Sequence, residues 1–287
     1  MFAYINGEIV DEAVAGVALF DHGLTVGDGV FETIAVRRGA ALASSRHLER
    51  LVRSALGMML TPPGLPELHR AVGAAVAANP GIQRGALRVT YTSGPGTVGS
   101  ARGGVAPTTI VTARELAPYP AVVDVATVGW PRNERGALAG LKTTSYAENV
   151  MALAVAQRHG AGEAIFANTA GRLCEGSGSN IFLAREGRLL TPPLSSGCLA
   201  GITRGLILER LADHAEERDM AMTALLEADE AFLTSALRDV QPIGRVDGRP
   251  LPAGPGPLTK AVALDYAALQ AAEPDPPSRA PLGSGAP

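Results

Sequence analysis

The chain has 287 residues, of which 46% are hydrophobic, 18% charged and 4% aromatic, and its formal net charge is -3. This composition is typical of a globular protein of one large or two modest domains. The balanced charge and the low aromatic content argue against a nucleic-acid-binding protein, because such proteins need basic runs to neutralise phosphates and rings to stack on bases.

The first half of the chain predicts a hairpin followed by mixed helices and strands. Residues 4–10 place Asn6-Gly7 between two short apolar runs, which is a strong hairpin signal. The apolar spacing over 47–59 predicts an amphipathic helix, and a second helix is expected over 66–78. Strands are expected over 30–36, 86–92, 108–113 and 122–128.

The second half alternates more regularly between the two kinds of element. Helices are expected over 145–159, from 202 to about 217, and over 258–271. Strands are expected over 163–167, 180–184 and 230–234.

A proline-punctuated connector at 114–120 suggests a domain boundary. We therefore predict an N-terminal domain over 1–117, a linker over 118–121 and a C-terminal domain over 122–272. Residues 273–287 consist mostly of Pro, Gly, Ser and Ala without periodicity, which predicts a disordered tail.

Several classes of site and location are disfavoured by the sequence. Cys174 and Cys198 lack CxxC spacing, so neither a disulfide framework nor a metal site is predicted. The first ten residues lack the basic and apolar regions of a secretory signal. No apolar run reaches the roughly 18 residues of a membrane span, so we expect no membrane partner and a cytoplasmic location.

A glycine-rich segment at 94–99 matches the GxGxxG pattern of dinucleotide-binding proteins. That pattern functions only where it opens a helix that meets the pyrophosphate. The following residues, Ser-Ala-Arg-Gly-Gly, cannot sustain a helix, so we predict a flexible loop here.

Only two of the 25 basic residues are lysines, Lys142 and Lys260, and the other 23 are arginines. A lysine amine can lose its charge on burial and form a Schiff base, whereas arginine stays protonated. Lys142 has apolar residues before it and precedes a predicted helix, so it could be a nucleophile or base, although a surface lysine near a helix start is the simpler interpretation. Lys260 lies on the closing helix, where a solvated position is expected.

Three further positions combine a polar group with a feature that suits a ligand. Glu175 lies in the glycine-rich turn 173–180, where it could cap backbone amides or face a bound cation. Thr203 follows Gly201-Ile202 at a helix start, which is an ordinary helix position but also a possible anion site. Arg50 lies on the first helix, where it could be a second anion contact or simply exposed.

Taken together, these motifs resemble the class IV aminotransferases, the fold-type IV enzymes that use pyridoxal 5'-phosphate (PLP). The resemblance rests on Lys142, on Tyr146 four residues later, on Glu175 33 residues after the lysine and on the G-I-T-R helix start. Asn6-Gly7 and the blocks at 20–33 and 47–51 extend it over about residues 4–266. It implies an α+β fold of two domains like that of D-amino-acid aminotransferase, with a small N-terminal α/β domain and a larger, β-barrel-like C-terminal α/β domain. It also implies a homodimer.

The resemblance assigns roles by position. Lys142 would be the catalytic residue and form the internal aldimine, Glu175 would pair with the pyridine nitrogen, and Tyr146 would bond the phenolic oxygen. The phosphate would be held by Arg50, Ile202 and Thr203. Where relatives carry a further phosphate-binding threonine this chain has Ala236, so Ser235 is the candidate substitute. The remaining cofactor-binding candidates are Ser179 and Asn180.

The substrate is expected to be a small amine. Arg88 lies where relatives bind a substrate carboxylate, Arg102 in the glycine-rich loop is a second candidate, and Phe31 is expected to line the substrate site. The block at 26–31 resembles those of 4-amino-4-deoxychorismate lyase and the D-amino-acid transaminases more than the branched-chain ones. The blocks at 142–149 and 174–180 resemble those of the lyase or of class IV aminotransferases in general. We favour the lyase, which produces 4-aminobenzoate for folate synthesis. A branched-chain or D-amino-acid transaminase is the alternative, and a binding module that has lost catalysis is a more remote one.

Overall fold

A computed structural model describes residues 1–278, which form two compact units. One unit contains Met1–Pro118, Leu141–Tyr146 and the chain from Glu273, and the other contains Tyr119–Gly140 and Ala147–Ala272. Both units combine helices with a β-sheet, which confirms the predicted α+β class.

The first unit is a six-stranded sheet with two long helices. Its strands lie in the order β2-β1-β6-β5-β3-β4. The elements are β1 (Phe2–Ile5), β2 (Glu8–Asp11), α1 (His22–Thr25), β3 (Gly29–Arg37), β4 (Ala40–Ala41), α2 (Ser44–Gly57), α3 (Leu65–Ala78), β5 (Arg84–Thr92) and β6 (Thr108–Glu115).

The core of the first unit lies between its sheet and the helices α2 and α3. The apolar residues of α2 recur at helical spacing, so Leu48, Leu51 and Ala55 share one buried face. They pack in one cluster with strand residues such as Ile34 and Leu87. Because β3 and β5 pair in register over nine residues each, β3 is held firmly at the point where it carries functional side chains.

The second unit contains a nine-stranded mixed sheet, whose main path is β12-β11-β10-β13-β14-β7-β8-β9, with β15 paired to β14. Its elements are β7 (Val123–Thr127), α4 (Ala147–Arg158), β8 (Glu163–Ala167), β9 (Leu173–Gly176), β10 (Asn180–Arg185), β11 (Arg188–Thr191), α5 (Ile202–Arg210), β12 (Ala215–Glu217), β13 (Glu230–Ser235), β14 (Asp239–Val246), β15 (Arg249–Pro250) and α6 (Pro257–Ala272).

This sheet is strongly curled. The last strand of the path, β9, is joined to β10 by only residues 177–179, although β10 is third from the opposite end. A connection of three residues spans only about 10 Å, so the two ends of the sheet approach each other. This curl agrees with the barrel-like sheet that the resemblance implies.

Helix α5 is shorter than the sequence predicted. It ends at Arg210, and Ala215–Glu217 instead form β12, which pairs in parallel with β11. The prediction to about residue 217 was therefore wrong, because pairing with a neighbouring strand overrides local helix propensity. The helix predicted over 145–159 runs from Ala147 to Arg158.

Strand β14 is an element that the sequence analysis missed. It lies between β13 and β7 and contains Pro242, which cannot donate to a ladder and argues against a strand. The register of its pairing with β7 shifts between Ile243 and Val246, so the strand accommodates the proline close to an irregularity.

Two segments depart from the predicted domain bounds. Leu141–Tyr146, expected in the C-terminal domain, belongs to the first unit. The predicted disordered tail begins with residues that are held in place: Pro274 O accepts from Ala43 N at 2.6 Å, and Asp275 Oδ1 accepts from Ser45 N at 2.9 Å. The rest of the predicted tail, 279–287, lies outside the described residues.

Over residues 1–278, no helix combines the length and the apolar character needed to cross a membrane.

Candidate active site

Lys142 lies in an extended segment of the first unit beside β3. Its carbonyl accepts from Phe31 N at 2.9 Å, and its own N donates to Ser54 Oγ at 3.2 Å. The half-buried side chain places Nζ 4.4 Å from the ring centroid of Phe31 and 5.8 Å from that of Tyr146. These two hydrogen bonds fix the backbone of Lys142, and its side-chain amine lies against two aromatic rings.

Phe31 also organises the other side chains around this lysine. Its ring meets that of Tyr146 edge to face, with 5.2 Å between centroids, and Arg88 Cζ lies 3.3 Å from its centroid. Burial lowers the pKa of Arg88 to about 10, although Tyr146 and Glu32 act in the opposite direction. Arg88 therefore remains a cation at neutral pH, and its Nε also donates to Thr90 Oγ1 at 3.3 Å.

A buried ionic group lies next to Phe31 in the chain. Glu32 Oε1 accepts from Arg50 Nε at 2.7 Å, and Glu32 Oε2 accepts from Arg50 Nη2 at 2.8 Å and from His47 Nδ1 at 2.7 Å. Burial acts to raise the pKa of Glu32, but the charges of Arg50 and His47 hold it well below its ordinary range. Burial lowers the pKa of His47, while Glu32 raises it and Arg50 and Lys142 lower it further. The predicted phosphate ligand Arg50 is thus engaged by a carboxylate through two of its nitrogens.

Arg102 has a structural set of partners. It donates through Nε and Nη2 to both oxygens of Asp28 at 2.7 Å, and to the carbonyls of Met58 and Met59 at 2.9 and 2.7 Å. These bonds tie the loop that follows β5 to the end of α2. The predicted substrate ligand Arg102 is thus engaged by one carboxylate and two carbonyls. The GxGxxG segment at 94–99 forms no helix, as predicted.

Glu175 lies in the second unit, on the buried strand β9. Its Oε2 accepts from Leu199 N at 2.9 Å, and its Oε1 lies 3.4 Å from Arg132 Nε. Phe166 is its partner across the β8–β9 pair. Both oxygens of this carboxylate therefore face positively polarised groups.

The turn after Glu175 is built over a second buried carboxylate, Glu163. Glu163 Oε1 accepts from Ser177 N at 3.1 Å and from Ser177 Oγ, and Oε2 accepts from Ser179 Oγ at 3.1 Å. A Cβ on Gly176 would collide with Ser179 Oγ, so a larger residue there would displace the serine side chain from Glu163. The predicted cofactor ligand Ser179 is thus committed to fixing the turn.

The start of α5 has backbone N–H groups that find no partner within the helix. Gly201 caps the helix without a side-chain hydrogen bond, and a side chain at Gly201 would collide with Asn180 Oδ1. Asn180 Nδ2 donates to Leu199 O at 2.8 Å, while Thr203 Oγ1 lies 3.2 Å from Tyr266 Oη. The first N–H groups of a helix have no partner within the helix and carry its positive partial charge. An anion would fit at Ile202 and Thr203.

Strand β13 provides a hydroxyl group beside this region. Thr234 pairs with Asn180 across β10 and β13, and α5 packs against β13. Thr234 Oγ1 is buried and has no hydrogen-bond partner within the described residues. Ser235 Oγ instead accepts from Arg238 N at 3.2 Å. The unsatisfied hydroxyl makes Thr234 a better candidate than Ser235 for a further ligand contact.

The structure brings together the predicted residues within each unit. One cluster in the first unit contains Lys142, Tyr146, Phe31 and Arg88, and Asn180 lies beside the α5 start in the second.

The sequence analysis missed Glu32, Arg132, Glu163 and the role of Thr234. The E-A-I-F pattern at 163–166 could have drawn attention to Glu163, as a carboxylate that begins a buried strand. Arg132 had no such signal among 23 arginines.

Comparison with known proteins identifies the family. The family model described as amino-transferase class IV matches residues 29–246. The chain is 34% identical over 283 residues to a bifunctional aminodeoxychorismate lyase / D-amino acid transaminase from Mycobacterium tuberculosis, covering 89% of this chain and 94% of that protein. The chain belongs to the class IV aminotransferase family.

Solved structures of class IV aminotransferases agree with this assignment. The structure is similar to that of a branched-chain aminotransferase from Thermoproteus uzoniensis with norvaline, with a TM-score of 0.86, 31% identity and 94% of each chain covered. It is also similar to the PLP-bound form of a hypothetical aminotransferase from Mycobacterium tuberculosis, with a TM-score of 0.82, 32% identity and 93% and 98% of the two chains covered. Class IV aminotransferases are PLP-dependent enzymes, so the predicted cofactor and enzymatic nature are confirmed.

Proposed function

We propose that this protein is a 4-amino-4-deoxychorismate lyase, which converts its substrate into 4-aminobenzoate and pyruvate. The observation that carries the proposal is the position of Arg88, whose guanidinium lies 3.3 Å from the Phe31 ring centroid in the cluster that contains Lys142 and Tyr146. A fixed cation beside aromatic rings suits a substrate that combines carboxylates with a flat ring. The relative from Mycobacterium tuberculosis whose name includes this lyase activity supports the assignment.

The second unit has groups that fit the phosphate and the ring of PLP. We propose that the N–H groups of Ile202 and Thr203 at the α5 start bind the phosphate, with Thr234 Oγ1 as a further donor. Arg50, two of whose nitrogens bond to Glu32, is proposed as a further phosphate ligand. Ser235 is the weaker choice for the further contact, because its hydroxyl already accepts a hydrogen bond.

The other cofactor contacts are proposed for the ring. Glu175 would accept a hydrogen bond from the protonated pyridine nitrogen and so keep it protonated, and Tyr146 would donate to the phenolic oxygen. Ser179 and Asn180 would act mainly by fixing the turn and the strand beside Glu175, since their side chains already bond to Glu163 and to Leu199 O. When bound, PLP would supply an electron sink that stabilises negative charge on the substrate carbon that loses its proton.

Lys142 is the proposed site of covalent attachment and the proposed proton carrier. Its Nζ, held near the Phe31 and Tyr146 rings, would be positioned to accept and donate protons at the bound substrate. As a neutral amine it would take the proton from the ring carbon that bears the substrate nitrogen, and it would then return a proton to the departing enolpyruvyl group. A positioned acid and base of this kind contributes a factor of ~10²–10⁴ in rate.

An amino-acid transaminase is the second candidate. It is favoured by the structural similarity to a branched-chain aminotransferase and by the D-amino acid transaminase activity in the name of the Mycobacterium tuberculosis relative. In such an enzyme Lys142 would move a proton from the α-carbon of the amino acid, and Arg88 would bind its carboxylate.

Product analysis separates the two candidates. The purified PLP-loaded protein is incubated with 4-amino-4-deoxychorismate, and in parallel with leucine or D-alanine plus 2-oxoglutarate. Formation of 4-aminobenzoate and pyruvate in equal amounts supports the lyase. Glutamate formation without any 4-aminobenzoate contradicts it and supports the transaminase.

We also propose that the protein is a cytoplasmic homodimer. Large apolar side chains are exposed at Leu19 (81%), Val14 (77%) and Leu24 (65%) in the first unit, and at Val150 and Met151 on α4 in the second. We propose these exposed apolar side chains as candidates for the dimer interface, since exposed apolar patches mark interaction sites. Light scattering coupled to size-exclusion chromatography tests the proposal, and a monomeric mass contradicts it.

A further inference from the structure

Arg132 is a mostly buried cation in the second unit, with 14% of its side chain exposed. Its backbone is fixed by a hydrogen bond from its N to the carbonyl of Ala167, the last residue of β8, at 2.8 Å. Its guanidinium carbon lies 4.2 Å from the ring centroid of Phe166. The position of this charge is therefore determined by the strand that pairs with the strand of Glu175.

The nitrogens of Arg132 face helix α4 on one side and Glu175 on the other. Nη1 donates to Glu148 Oε2 at 2.6 Å and to Asn149 Oδ1 at 3.1 Å, both on α4. Nε lies 3.4 Å from Glu175 Oε1, which is an ion-pair distance without hydrogen-bond alignment. Nη2, like Nε, is buried without a hydrogen-bond partner among the described residues.

This arrangement costs free energy unless a nearby charge compensates it. Burying a guanidinium with unsatisfied N–H groups is unfavourable, and packing alone would be served as well by an uncharged residue. The carboxylate of Glu175 lies within ion-pair distance of those N–H groups, whereas Glu148, on the other side, is exposed and contributes little.

We propose that Arg132 is a positioning residue that acts on PLP through Glu175. Together with Leu199 N, it fixes the Glu175 carboxylate in orientation and places a positive charge beside it, so that the carboxylate can pair with the pyridine nitrogen. This inference rests on the role proposed for Glu175. Arg132 itself does not touch the cofactor in this scheme.

The test compares Arg132→Lys with Arg132→Met in the full-length protein, and Glu148→Gln serves as the matched control. Glu148→Gln removes the exposed partner of Arg132 and leaves the pair with Glu175 in place. Two quantities are measured: the dissociation constant of PLP, and the pH midpoint at which the absorbance of the lysine-bound cofactor changes. Thermal unfolding of each apo-variant checks that the fold is retained.

We expect Arg132→Met to weaken PLP binding on the order of tenfold, since Glu175 loses its charged neighbour in a buried place. The pH midpoint should move to higher pH, because a positive charge that opposes protonation has been removed. Arg132→Lys should restore most of both properties, and Glu148→Gln should leave both close to wild type.

A double-mutant cycle shows whether the effect passes through Glu175. In the Glu175→Gln background, Arg132→Met should cause little further loss of PLP affinity, as expected of coupled residues. If Arg132→Met lowers PLP affinity as much in the Glu175→Gln background as in the wild type, the proposal is contradicted. It is also contradicted if Arg132→Met alone leaves the PLP affinity and the pH midpoint at their wild-type values. A wild-type protein that forms no PLP absorbance band would contradict the proposed cofactor site. That result is distinguishable from failure of the Arg132 proposal, in which the wild type forms the band and the variant behaves like it.

Discussion

Glu32 and Arg50 form a buried two-point ion pair, in which Nε and Nη2 of the guanidinium lie 2.7 and 2.8 Å from the two carboxylate oxygens. Glu32 is fully buried, and Arg50 is 6% exposed. The pair joins β3, which carries Phe31, to α2. It therefore links the strand beside Lys142 to the helix that presents Arg50.

Replacing Glu32 by glutamine should destabilise the protein strongly. The change keeps the shape of the side chain but leaves the Arg50 charge buried without its counter-ion, which costs about 3–5 kcal/mol. The free energy of unfolding from denaturant titration measures the loss. Glu67→Gln, on the exposed face of α3, is the matched control and should change the free energy of unfolding by less than about 0.5 kcal/mol. Equal stabilities for the two variants would contradict the account of the pair.

His47 should make stability depend on pH in a defined direction. Its folded pKa lies below the ordinary 6.5, with burial as the main cause, so the unfolded chain binds a proton that the folded protein does not. Stability is then lost as the pH falls below about 6.5 toward the folded pKa, by up to about 1.4 kcal/mol per pH unit.

Unfolding titrations at pH 7.5 and 5.5 test this dependence. His47→Gln should lose less stability between the two values than the wild type does. His159→Gln, which changes an exposed histidine at the end of α4, should retain the wild-type difference. A wild-type pH dependence in His47→Gln would refute the assignment.

Local signals predicted much of the fold. The Asn-Gly hairpin, the apolar stripe of α2 and the apolar runs of β3 and β5 depend on residues close together in sequence, and the structure confirms them. Helix α5 was predicted too long, and β14 was missed, because each outcome depends on pairing with a distant strand.

In the candidate site, too, local motifs predicted some residues, whereas contacts between distant residues were not predicted. Lys142, Tyr146 and Glu175 stand out through short motifs and through the scarcity of lysine. The Arg132–Glu175 pair joins residues 43 positions apart in sequence, and no local pattern marks either residue as the partner of the other. The contact between Asp275 and α2 spans 230 positions and could not be predicted from a segment whose composition suggests disorder.

Asp275 should act as the N-terminal cap of α2. Ala43, at the cap position, has no side-chain hydrogen bond, and Asp275 instead accepts from Ser45 N at 2.9 Å and from the hydroxyls of Ser44 and Ser45. Asp275→Ala should lower the free energy of unfolding by about 0.5–2 kcal/mol, the usual value of a helix cap. Glu273→Ala, in the same tail, is the control, and an equal effect of both changes would contradict the capping role.

Arg88 should control the affinity for the substrate. Replacing it by glutamine removes the cation over Phe31 and should raise KM on the order of tenfold, since a hydrogen bond to a charged group contributes about 1.5–3 kcal/mol. Steady-state kinetics with 4-amino-4-deoxychorismate measure the change. Arg114→Gln, which alters an exposed arginine of β6, should leave KM unchanged. An Arg88→Gln enzyme with the wild-type KM would remove Arg88 from the substrate site.

The identity of the lysine that binds PLP is the central claim, and the two-lysine sequence makes it directly measurable. The PLP-loaded protein is reduced with borohydride and digested, and the peptides are examined by mass spectrometry, with Lys142→Ala and Lys260→Ala treated in parallel. We predict that the pyridoxyl group is found on the Lys142 peptide in the wild type and in Lys260→Ala, and is absent from Lys142→Ala. A pyridoxyl group on Lys260, or a Lys142→Ala protein labelled like the wild type, would contradict the account.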